Sequence, residues 1–350
     1  MLKKQNYYID FLRFIFSLII VFYHSWIFKG VFHTGFFNRG YYAVDFYFIV
    51  TGYLFFDSIC RKYGKKSVKD SELGKVTLRF LFDKIKGLLP YIGLSIILGL
   101  IFTRIRDLSF NSLLSDNVVC EVLQLSFLVG KYSINTPLWY ISVMIIVLFI
   151  LFPLLVKYRD NYVYFIAFPL VLFVIGLTNY LGININSPSE VKFIFINGFY
   201  KGLIFINLGI ISYSISKWFE SLKLQKNVRI ILTVLETLGY LFLILAMHYH
   251  LCDGYVFGLG FMILVSLTFS GQTLVSGIFK SNFWKKLGKF GFVLYLNNYY
   301  FIYFIKTYYN YSYNNLVIIY LIHVFIISVL SYILIDIILP KITQKNKLGF

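Results

Sequence analysis

The residue types that could do chemistry are concentrated in one apolar stretch near the start of the chain, residues 10–24. Asp10, Arg13, Ser17 and His24 are its polar members. In a helix that turns about 100° per residue, a spacing of seven or eleven residues returns a side chain to within about 20° of its starting direction, so the four groups share one stripe. An imidazole can take a proton near neutral pH, and a guanidinium can bind an anion. The stripe is therefore a candidate functional site.

A simpler interpretation is that Asp10 and Arg13 anchor a membrane span at its interface while His24 reaches outward to water. Ionisable groups inside a span are costly and usually face a protein interior or a wet cavity. Anchoring alone does not need four groups on one face, which favours the functional interpretation.

Asp45, in the second apolar stretch, is predicted to lie near His24. The first two spans form an antiparallel hairpin and the two residues flank its loop, so both fall at a similar depth. A carboxylate beside an imidazole holds its tautomer and stabilises its protonated form, which makes the imidazole a better general base. Alternatively, Asp45 caps or anchors the end of its helix. The same geometry places Asp57 level with Arg13 and predicts an ion pair between them.

The elements that must position these groups are strongly apolar. The 350 residues are 59% hydrophobic and 21% aromatic, with a mean hydropathy of +0.75. Repeated apolar runs of about twenty residues are long enough to cross a bilayer. This composition excludes a soluble enzyme and predicts an all-α, polytopic transmembrane bundle that forms one domain, residues 1–350.

Ten spans are predicted from the apolar runs. They cover residues 11–26, 42–59, 88–102, 137–156, 162–181, 193–215, 230–248, 255–271, 290–305 and 316–339. With both termini in the cytoplasm, 24 of the 33 Lys and Arg fall in cytoplasmic segments and seven in outer segments. Because positive charge is enriched on the cytoplasmic side of membranes, this asymmetry supports that orientation. It also accounts for most of the net charge of +18 without nucleic acid as a partner.

Neither a signal peptide nor a metal site is predicted. Two lysines precede the first stretch as in a signal peptide, but Asp10 and Arg13 interrupt it and no small-residue cleavage site follows, so we expect a retained first helix. The cysteines lack the paired spacing of a disulfide framework or a zinc site. They are Cys60, Cys120 and Cys252.

Two further residues are weaker candidates for the site. Lys201 lies inside the sixth predicted span, where it could face the same cavity as His24 or reach the interface from near the outer end. Trp139 could stack on a sugar ring, although interfacial aromatic residues are expected in any membrane protein.

The first two spans carry a family resemblance. YYIDFLRFIFSLIIVFYHS has a basic residue, ten intervening residues and a histidine, matched by Arg13 and His24. GYYAVDFYFIVTGYLF has an aspartate followed by paired aromatic residues and a small residue before glycine, at Asp45, Phe46, Tyr47, Thr51 and Gly52. These motifs resemble the first two helices of the acyltransferase 3 family of membrane acyltransferases, and the ten-span count agrees with it.

Later segments resemble the family with substitutions. LRFLFDKIKGLLP, residues 78–90, keeps Arg79, Lys84, Lys86 and Pro90 but has Gly87 where an arginine is often found. LWYISVMIIVLFILFP is similar to a Trp-led helix through Trp139 and Pro153, with Met144 where some members carry glutamate. In LGKFGFVLYLNNYYFIY, Asn298 stands in place of a histidine. These departures indicate a divergent branch. Alone, residues 78–90 predict an amphipathic surface helix before Pro90 opens the third span, or a plain basic loop that touches anionic lipid.

The resemblance implies an O-acyltransferase of a bacterial inner membrane. Its donor would be an acyl-CoA, above all acetyl-CoA, and its acceptor a hydroxyl of an envelope or exported saccharide. The catalytic residues would be His24 as the general base, Asp45 as its support, and Arg13. The predicted binders of the CoA phosphates are Arg13, Arg79, Lys84 and Lys86, and the predicted substrate-binding residues are Trp139, Lys201 and Asn298. Membrane lipids are the other expected partners, and a homo-oligomer is left open.

Two other functions fit the same residues. In a saccharide transporter or flippase, the stripe on the first helix and Lys201 would line a substrate path. A degenerate, non-catalytic relative would serve as an assembly partner. Acyl transfer by the purified protein separates the first interpretation from both.

Overall fold

The computed structural model describes residues 5–28, 36–64, 68–107, 116–125, 134–308 and 313–340. Within these ranges the chain is helical and has no β-strand, apart from one isolated bridge between Val191 and Ile196. The α-helices are α1 (Tyr7–His24), α2 (Ala43–Tyr63), α3 (Asp70–Asp107), α4 (Asp116–Val122), α5 (Leu138–Tyr162), α6 (Phe168–Tyr180), α7 (Asn197–Ser221), α8 (Lys226–Tyr249), α9 (Tyr255–Ser270), α10 (Asn282–Asn297), α11 (Tyr300–Tyr308) and α12 (Tyr313–Tyr332). Two π-helical turns, Val163–Ala167 and Ile333–Ile338, follow α5 and α12.

The predicted all-α polytopic bundle is confirmed. Among the described residues, eight helical segments are long and apolar enough to cross a membrane, and they correspond to the first seven predicted spans and the tenth. The eighth predicted span, 255–271, is matched by the shorter apolar helix α9. The cytoplasmic placement of both termini stays a prediction.

The ninth predicted span, 290–305, is short for a full crossing, which leaves a tilted or a broken helix open, and the structure shows a broken one. α10 ends at Asn297 and α11 begins at Tyr300. Between them the Asn298 side-chain amide donates to the carbonyl of Tyr295 at 2.8 Å. The last carbonyls of a helix have no partner within the helix, so a side-chain donor at this point stabilises its end.

The predicted break at Pro90 is absent. Residues 78–90 and the third span form one helix, α3, 38 residues long with Pro90 inside it. A proline within a helix removes one backbone hydrogen bond, but membrane helices tolerate it where neighbouring groups compensate. The cations Arg79, Lys84 and Lys86 therefore belong to the helix that crosses the bundle and not to a separate surface helix.

Close glycine contacts bring α2 and α7 together. A Cβ atom at Gly52 or at Gly209 would lie only 2.1 Å from a carbonyl oxygen of the opposite helix. Small residues allow this approach of two backbones in a membrane bundle. Asp45 lies two turns before Gly52 and Lys201 about two turns before Gly209, so this crossing places the two charged residues side by side.

A second glycine contact packs α10 against α1. A Cβ atom at Gly288 would lie 2.8 Å from the Asp10 carbonyl oxygen, and one at Gly291 would lie 2.9 Å from the Phe14 Cα atom. Any larger residue at these positions would separate the helices. The contact brings the lysine-rich first half of α10 beside the polar stripe of α1.

Candidate active site

Helix α1 carries Arg13 and His24 at a fixed separation of about 16 Å along its axis, since each residue adds about 1.5 Å. Two cavities lie at these two levels. The first, here called the histidine cavity, has a volume of about 230 Å³ and is lined by His24 with Tyr41, Trp139, Asn186, Lys201, Tyr295 and Tyr299, among others. The second, here called the basic cavity, has a volume of about 460 Å³ and is lined by Arg13 with Asp10, Tyr47, Tyr140, Lys285 and Lys289, among others.

The imidazole of His24 is held with one nitrogen against the protein. Its Nδ1 atom is buried and has no hydrogen-bond partner in the described part of the chain. The Asn298 side chain lies within reach of the ring, yet its own Oδ1 atom also completes no well-formed hydrogen bond there. Tyr299 packs edge-on against the imidazole, with ring centroids 5.2 Å apart. Because Nδ1 is buried, a molecule in the cavity can meet the ring only at Nε2.

The predicted pairing of Asp45 with His24 is wrong. Asp45 Oδ1 lies 2.8 Å from Lys201 Nζ, and the two side chains are 0% and 2% exposed. Lys201 Nζ also donates to Asn186 Oδ1 at 3.2 Å. A charge buried in a membrane protein is costly unless it is paired, and this ion pair supplies that partner to both residues. The hairpin loop suggested a similar depth for Asp45 and His24, but the crossing of α2 with α7 selected Lys201 as the partner.

The three predicted substrate-binding residues fall at one level of the bundle. Trp139 and Lys201 line the histidine cavity. Asn298 is fully buried and lies behind His24. The structure therefore brings together around one cavity four residues that lie far apart in the sequence.

Glu121 fixes the segment that leads into α5. Its buried carboxylate accepts hydrogen bonds from the backbone N–H groups of Ile134, at 2.9 Å, and Asn135. Two residues later, the Pro137 carbonyl accepts a hydrogen bond from the Tyr295 hydroxyl at 2.9 Å. Glu121 thus holds one wall of the histidine cavity in place, a role that its position in a predicted outer segment did not indicate.

The basic cavity contains more positive charge than its own carboxylates neutralise. Arg13 Nη1 lies 3.4 Å from Asp10 Oδ1, and Lys289 Nζ lies 2.5 Å from Asp336 Oδ1. Lys285 also lines the cavity, and it forms no ion pair within the described residues. An ammonium group without a carboxylate partner leaves this cavity able to attract an anion such as a phosphate.

The predicted ion pair between Arg13 and Asp57 is not formed. The Asp57 carboxylate lies 3.0 Å from Arg61 Nη2, one turn further along α2. Local partners four or three residues away on the same helix are available to both Asp57 and Arg13, so neither needs to reach across the hairpin.

None of the three cations predicted on α3 lines the basic cavity, but Lys84 lies on the side of the helix nearest to it. At about 100° per residue, Lys84 lies within about 60° of the cavity-lining residues Gly87 and Tyr91, whereas Arg79 and Lys86 lie about 80° to 140° from them. All three side chains are exposed. That all three bind phosphate together stays a prediction, and the directions of Arg79 and Lys86 favour Lys84 as the main contributor.

The three departures from the family motifs all lie at the cavities. Gly87 and Met144 line the basic cavity, and Asn298 reaches His24. Nothing lies within 4 Å of where a Gly87 Cβ atom would stand. An arginine at this position would have open space, so its absence leaves room and removes one charge from the basic cavity.

Three tyrosines separate the two cavities, and we call them the tyrosine triad. Tyr295 lines the histidine cavity, while Tyr47 and Tyr140 line the basic cavity. Their ring centroids are 6.2 Å apart for Tyr47–Tyr140, 6.2 Å for Tyr47–Tyr295 and 5.8 Å for Tyr140–Tyr295. Each ring therefore contacts the other two, and the triad closes the direct line between the cavities.

Several residues of the two cavities were missed by sequence reasoning. Lys285 and Lys289 were assigned to a cytoplasmic segment, although their spacing of four residues places them on one face of a helix. Tyr140 and Tyr295 carried no signal, because the chain has 30 tyrosines and none stands out by spacing. Among the described residues, no group of three or more His, Cys, Asp or Glu is arranged to hold a metal ion.

A comparison with known protein families identifies the family of the chain. The sequence profile described as an acyltransferase domain matches residues 6–340, nearly the whole chain. No curated protein and no solved structure gives a significant match. The matched range includes α1 with Arg13 and His24, the triad and every described residue that lines the two cavities except Gln5. The chain therefore belongs to the acyltransferase 3 family and is a multi-pass membrane acyltransferase.

Proposed function

We propose that the protein transfers an acetyl group from acetyl-CoA to a hydroxyl of an envelope or exported saccharide, in the inner membrane of a bacterium. One observation carries the proposal: a single helix presents an imidazole to one cavity and a guanidinium to a second, cation-rich cavity. The first arrangement suits proton transfer, and the second suits an anionic nucleotide. The long pantetheine arm of acyl-CoA would connect the two.

In the proposed reaction His24 is the general base. Its Nε2 atom takes the proton of the acceptor hydroxyl as the oxygen attacks the thioester carbonyl carbon. When the tetrahedral intermediate collapses, the carbon–sulfur bond breaks and the imidazolium returns the proton to the departing CoA sulfur. Asn298 orients the ring from the buried side, in the position where the first prediction placed Asp45.

The acceptor binds in the histidine cavity. The indole of Trp139 offers an apolar face for a sugar ring, and Asn186 and Lys201 offer polar groups to its hydroxyls. Because Asp45 neutralises Lys201, the cavity favours an uncharged acceptor over a strongly anionic one. This argument supports a saccharide hydroxyl and leaves its identity open.

The nucleotide end of the donor binds at the basic cavity. Arg13 and Lys285 line this cavity and can meet its phosphates, the arginine as a bidentate fork and the lysine as a point charge. Lys84, on the nearby side of α3, adds a third cation. Lys289 is already paired with Asp336 and contributes less.

The test uses the full-length protein in lipid nanodiscs with acetyl-CoA labelled in the acetyl group. Wild-type protein is expected to release CoA thiol in proportion to added saccharide acceptor and to leave label on the acceptor. His24→Ala is the inactive comparison. His323→Ala is the matched control, since His323 lies on α12 and its ring bonds the Ile319 carbonyl at 2.7 Å, away from both cavities. If the wild type moves saccharide across vesicle membranes and never transfers label, the transporter interpretation replaces this one.

A further inference from the structure

We infer that the tyrosine triad is the passage through which the acyl-pantetheine arm reaches His24, and that Tyr295 sets the size of acyl group that can pass. This inference rests on the proposed function. The basic cavity and the histidine cavity share no lining residue, yet Tyr295 of one cavity contacts Tyr47 and Tyr140 of the other. A donor held at the basic cavity must therefore cross the triad to meet an acceptor beside His24.

The triad is closed in the structure. With centroids 5.8–6.2 Å apart, the centre of the triangle lies only about 3.5 Å from each centroid, which is already the contact distance between carbon atoms. Ring atoms extend further inward than the centroids, so no chain of methylene groups fits until one ring turns. Access to His24 from the basic cavity therefore requires a side-chain movement.

Tyr295 is the member whose rotation would open the triad toward His24, because it is the one that lines the histidine cavity. The Tyr47 hydroxyl is held twice, donating to the Arg13 carbonyl and contacting Ser17 Oγ at 2.6 Å. The Tyr140 ring packs against Phe48 with ring centroids 4.6 Å apart, and the Tyr140 hydroxyl lies 3.0 Å from Thr51 Oγ1.

Tyr295 borders the histidine cavity, so its ring can turn toward His24, whereas Tyr47 and Tyr140 border the basic cavity on the other side of the triad. The Pro137 carbonyl accepts the hydrogen bond from its hydroxyl. Tyr295 also lies in the last turn of α10, two residues before the helix ends, and Asn298 bonds its carbonyl. Since Asn298 also reaches His24, movement of Tyr295 is connected to the catalytic imidazole.

This placement makes the triad a size filter. The acyl group is at the tip of the pantetheine arm, so it enters the passage first and must fit between Tyr47, Tyr140 and the turned Tyr295. A short acyl group passes after a small rotation, whereas a long or branched one needs a wider opening. The selectivity for acyl length is thus decided at the triad, before the donor reaches the acceptor.

The experiment measures acyl transfer from acetyl-, butyryl-, hexanoyl- and octanoyl-CoA by wild type and by Tyr295→Ala in nanodiscs. Tyr295→Ala is expected to raise the ratio of octanoyl to acetyl transfer by about tenfold or more, since methylene groups that were excluded now fit. Tyr53→Ala is the matched control: Tyr53 is another buried tyrosine with one hydroxyl contact, to Ser216 at 3.0 Å, and it lines neither cavity. If both variants keep the wild-type ratio, the passage is not at the triad.

Tyr295→Leu serves where Tyr295→Ala does not fold, and the same shift in ratio is expected. Tyr295→Phe keeps the ring and removes the bond to the Pro137 carbonyl. Tyr295→Phe should leave the longest acyl group that is transferred unchanged, because the aromatic ring that closes the passage is still present. A Phe variant that accepts octanoyl groups as readily as the Ala variant overturns the size-filter account.

A thiol-trapping measurement separates failure of the passage from failure of the proposed function. Cys60, Cys120 and Cys252 are replaced by serine, and Tyr299→Cys places a thiol in the histidine cavity. The probe is the mixed disulfide of CoA with 2-thiopyridine. The protein thiolate attacks the CoA sulfur, a protein–CoA disulfide forms, and 2-thiopyridone is released with the proton from the thiol.

Leu88→Cys in the basic cavity is the control that reacts without crossing the triad. Excess adenosine 3′,5′-bisphosphate identifies the part of the reaction that enters by the basic cavity. One outcome is that wild type transfers no acyl group, while Tyr295→Ala speeds the bisphosphate-sensitive labelling of Tyr299→Cys. In that case the proposed function fails and the passage stands. If labelling of Tyr299→Cys is neither suppressed by the bisphosphate nor changed by Tyr295→Ala, the passage is refuted whatever the transfer assay shows.

Discussion

The charged side chains of the histidine cavity and of the basic cavity differ in exposure and in pairing. In the histidine cavity the Asp45 and Lys201 side chains are 0% and 2% exposed and neutralise each other. In the basic cavity Arg13 is 30% exposed and Lys289 47% exposed, and Lys285 has no carboxylate partner among the described residues. One cavity has balanced, fixed charges, and the other has excess positive charge that remains accessible.

This difference assigns different work to the two cavities. Buried and balanced charges change little with salt and preserve geometry, which suits a site where atoms must be aligned for reaction. Accessible excess charge attracts an anion from solution but gives weaker positional control, which suits binding of a nucleotide. The tyrosine triad keeps the two environments apart.

The largest effect is expected from removing the imidazole of the histidine cavity. His24→Ala should lower the rate of transfer to the acceptor by a factor of about 10² to 10⁴, the range typical of general acid–base catalysis. Binding of acyl-CoA, measured by calorimetry, should be unchanged because the basic cavity is intact. Full transferase activity in folded His24→Ala protein would remove the mechanistic distinction between the cavities.

The next effect tests the fixed charges. Asp45→Ala or Lys201→Met should each destabilise the protein by about 3–5 kcal/mol, because each leaves an uncompensated charge buried. The double variant should recover part of that loss. Thermal unfolding in detergent measures both.

Lys289→Met is the control for that comparison. Its partner Asp336 keeps a hydrogen bond from the Tyr91 hydroxyl at 2.8 Å, and Lys289 is about half exposed. Because the Lys289 ammonium is half exposed and the Asp336 carboxylate keeps a second partner, the loss is expected to be clearly smaller than that for Lys201→Met. Equal losses for Lys201→Met and Lys289→Met would contradict the contrast between a fixed and an accessible set of charges.

A smaller effect is expected from the accessible charge itself. Lys285→Gln should weaken acyl-CoA binding by about tenfold, since one charge-assisted phosphate contact is worth about 1.4 kcal/mol or more. The affinity of the variant should also depend less on ionic strength. Lys286→Gln is the matched control, because it is the next residue on α10 and does not line the cavity. Equal weakening by both substitutions would indicate a general surface attraction.

The smallest effect concerns the cations of α3. Arg79→Gln and Lys86→Gln together should change acyl-CoA affinity by no more than about twofold, because exposed charges that face away from the ligand are screened by salt. Lys84→Gln alone should weaken acyl-CoA binding more than Arg79→Gln and Lys86→Gln together. A large loss from the Arg79 and Lys86 pair, with Lys84→Gln near wild type, would restore the whole basic segment as the phosphate site.

The sequence alone determined that the protein is a polytopic membrane protein. It also determined which functional groups lie near the two ends of its first helix. Apolar runs of membrane length predict spans regardless of their neighbours, and helical periodicity places Arg13 and His24 on one stripe. These are properties of a single segment. They also carried the resemblance to the family that the comparison then identified.

Only the tertiary structure decided the partners of those residues. Asp45 pairs with Lys201 because Gly52 and Gly209 let α2 and α7 touch. Lys285 lines the same cavity as Arg13 because Gly288 and Gly291 let α10 lie against α1. The same packing gathers the tyrosine triad from α2, α5 and α10. Spacing along a chain fixes direction around one helix, but contact between helices depends on which small residues allow two backbones to approach, and that is a property of pairs of distant segments.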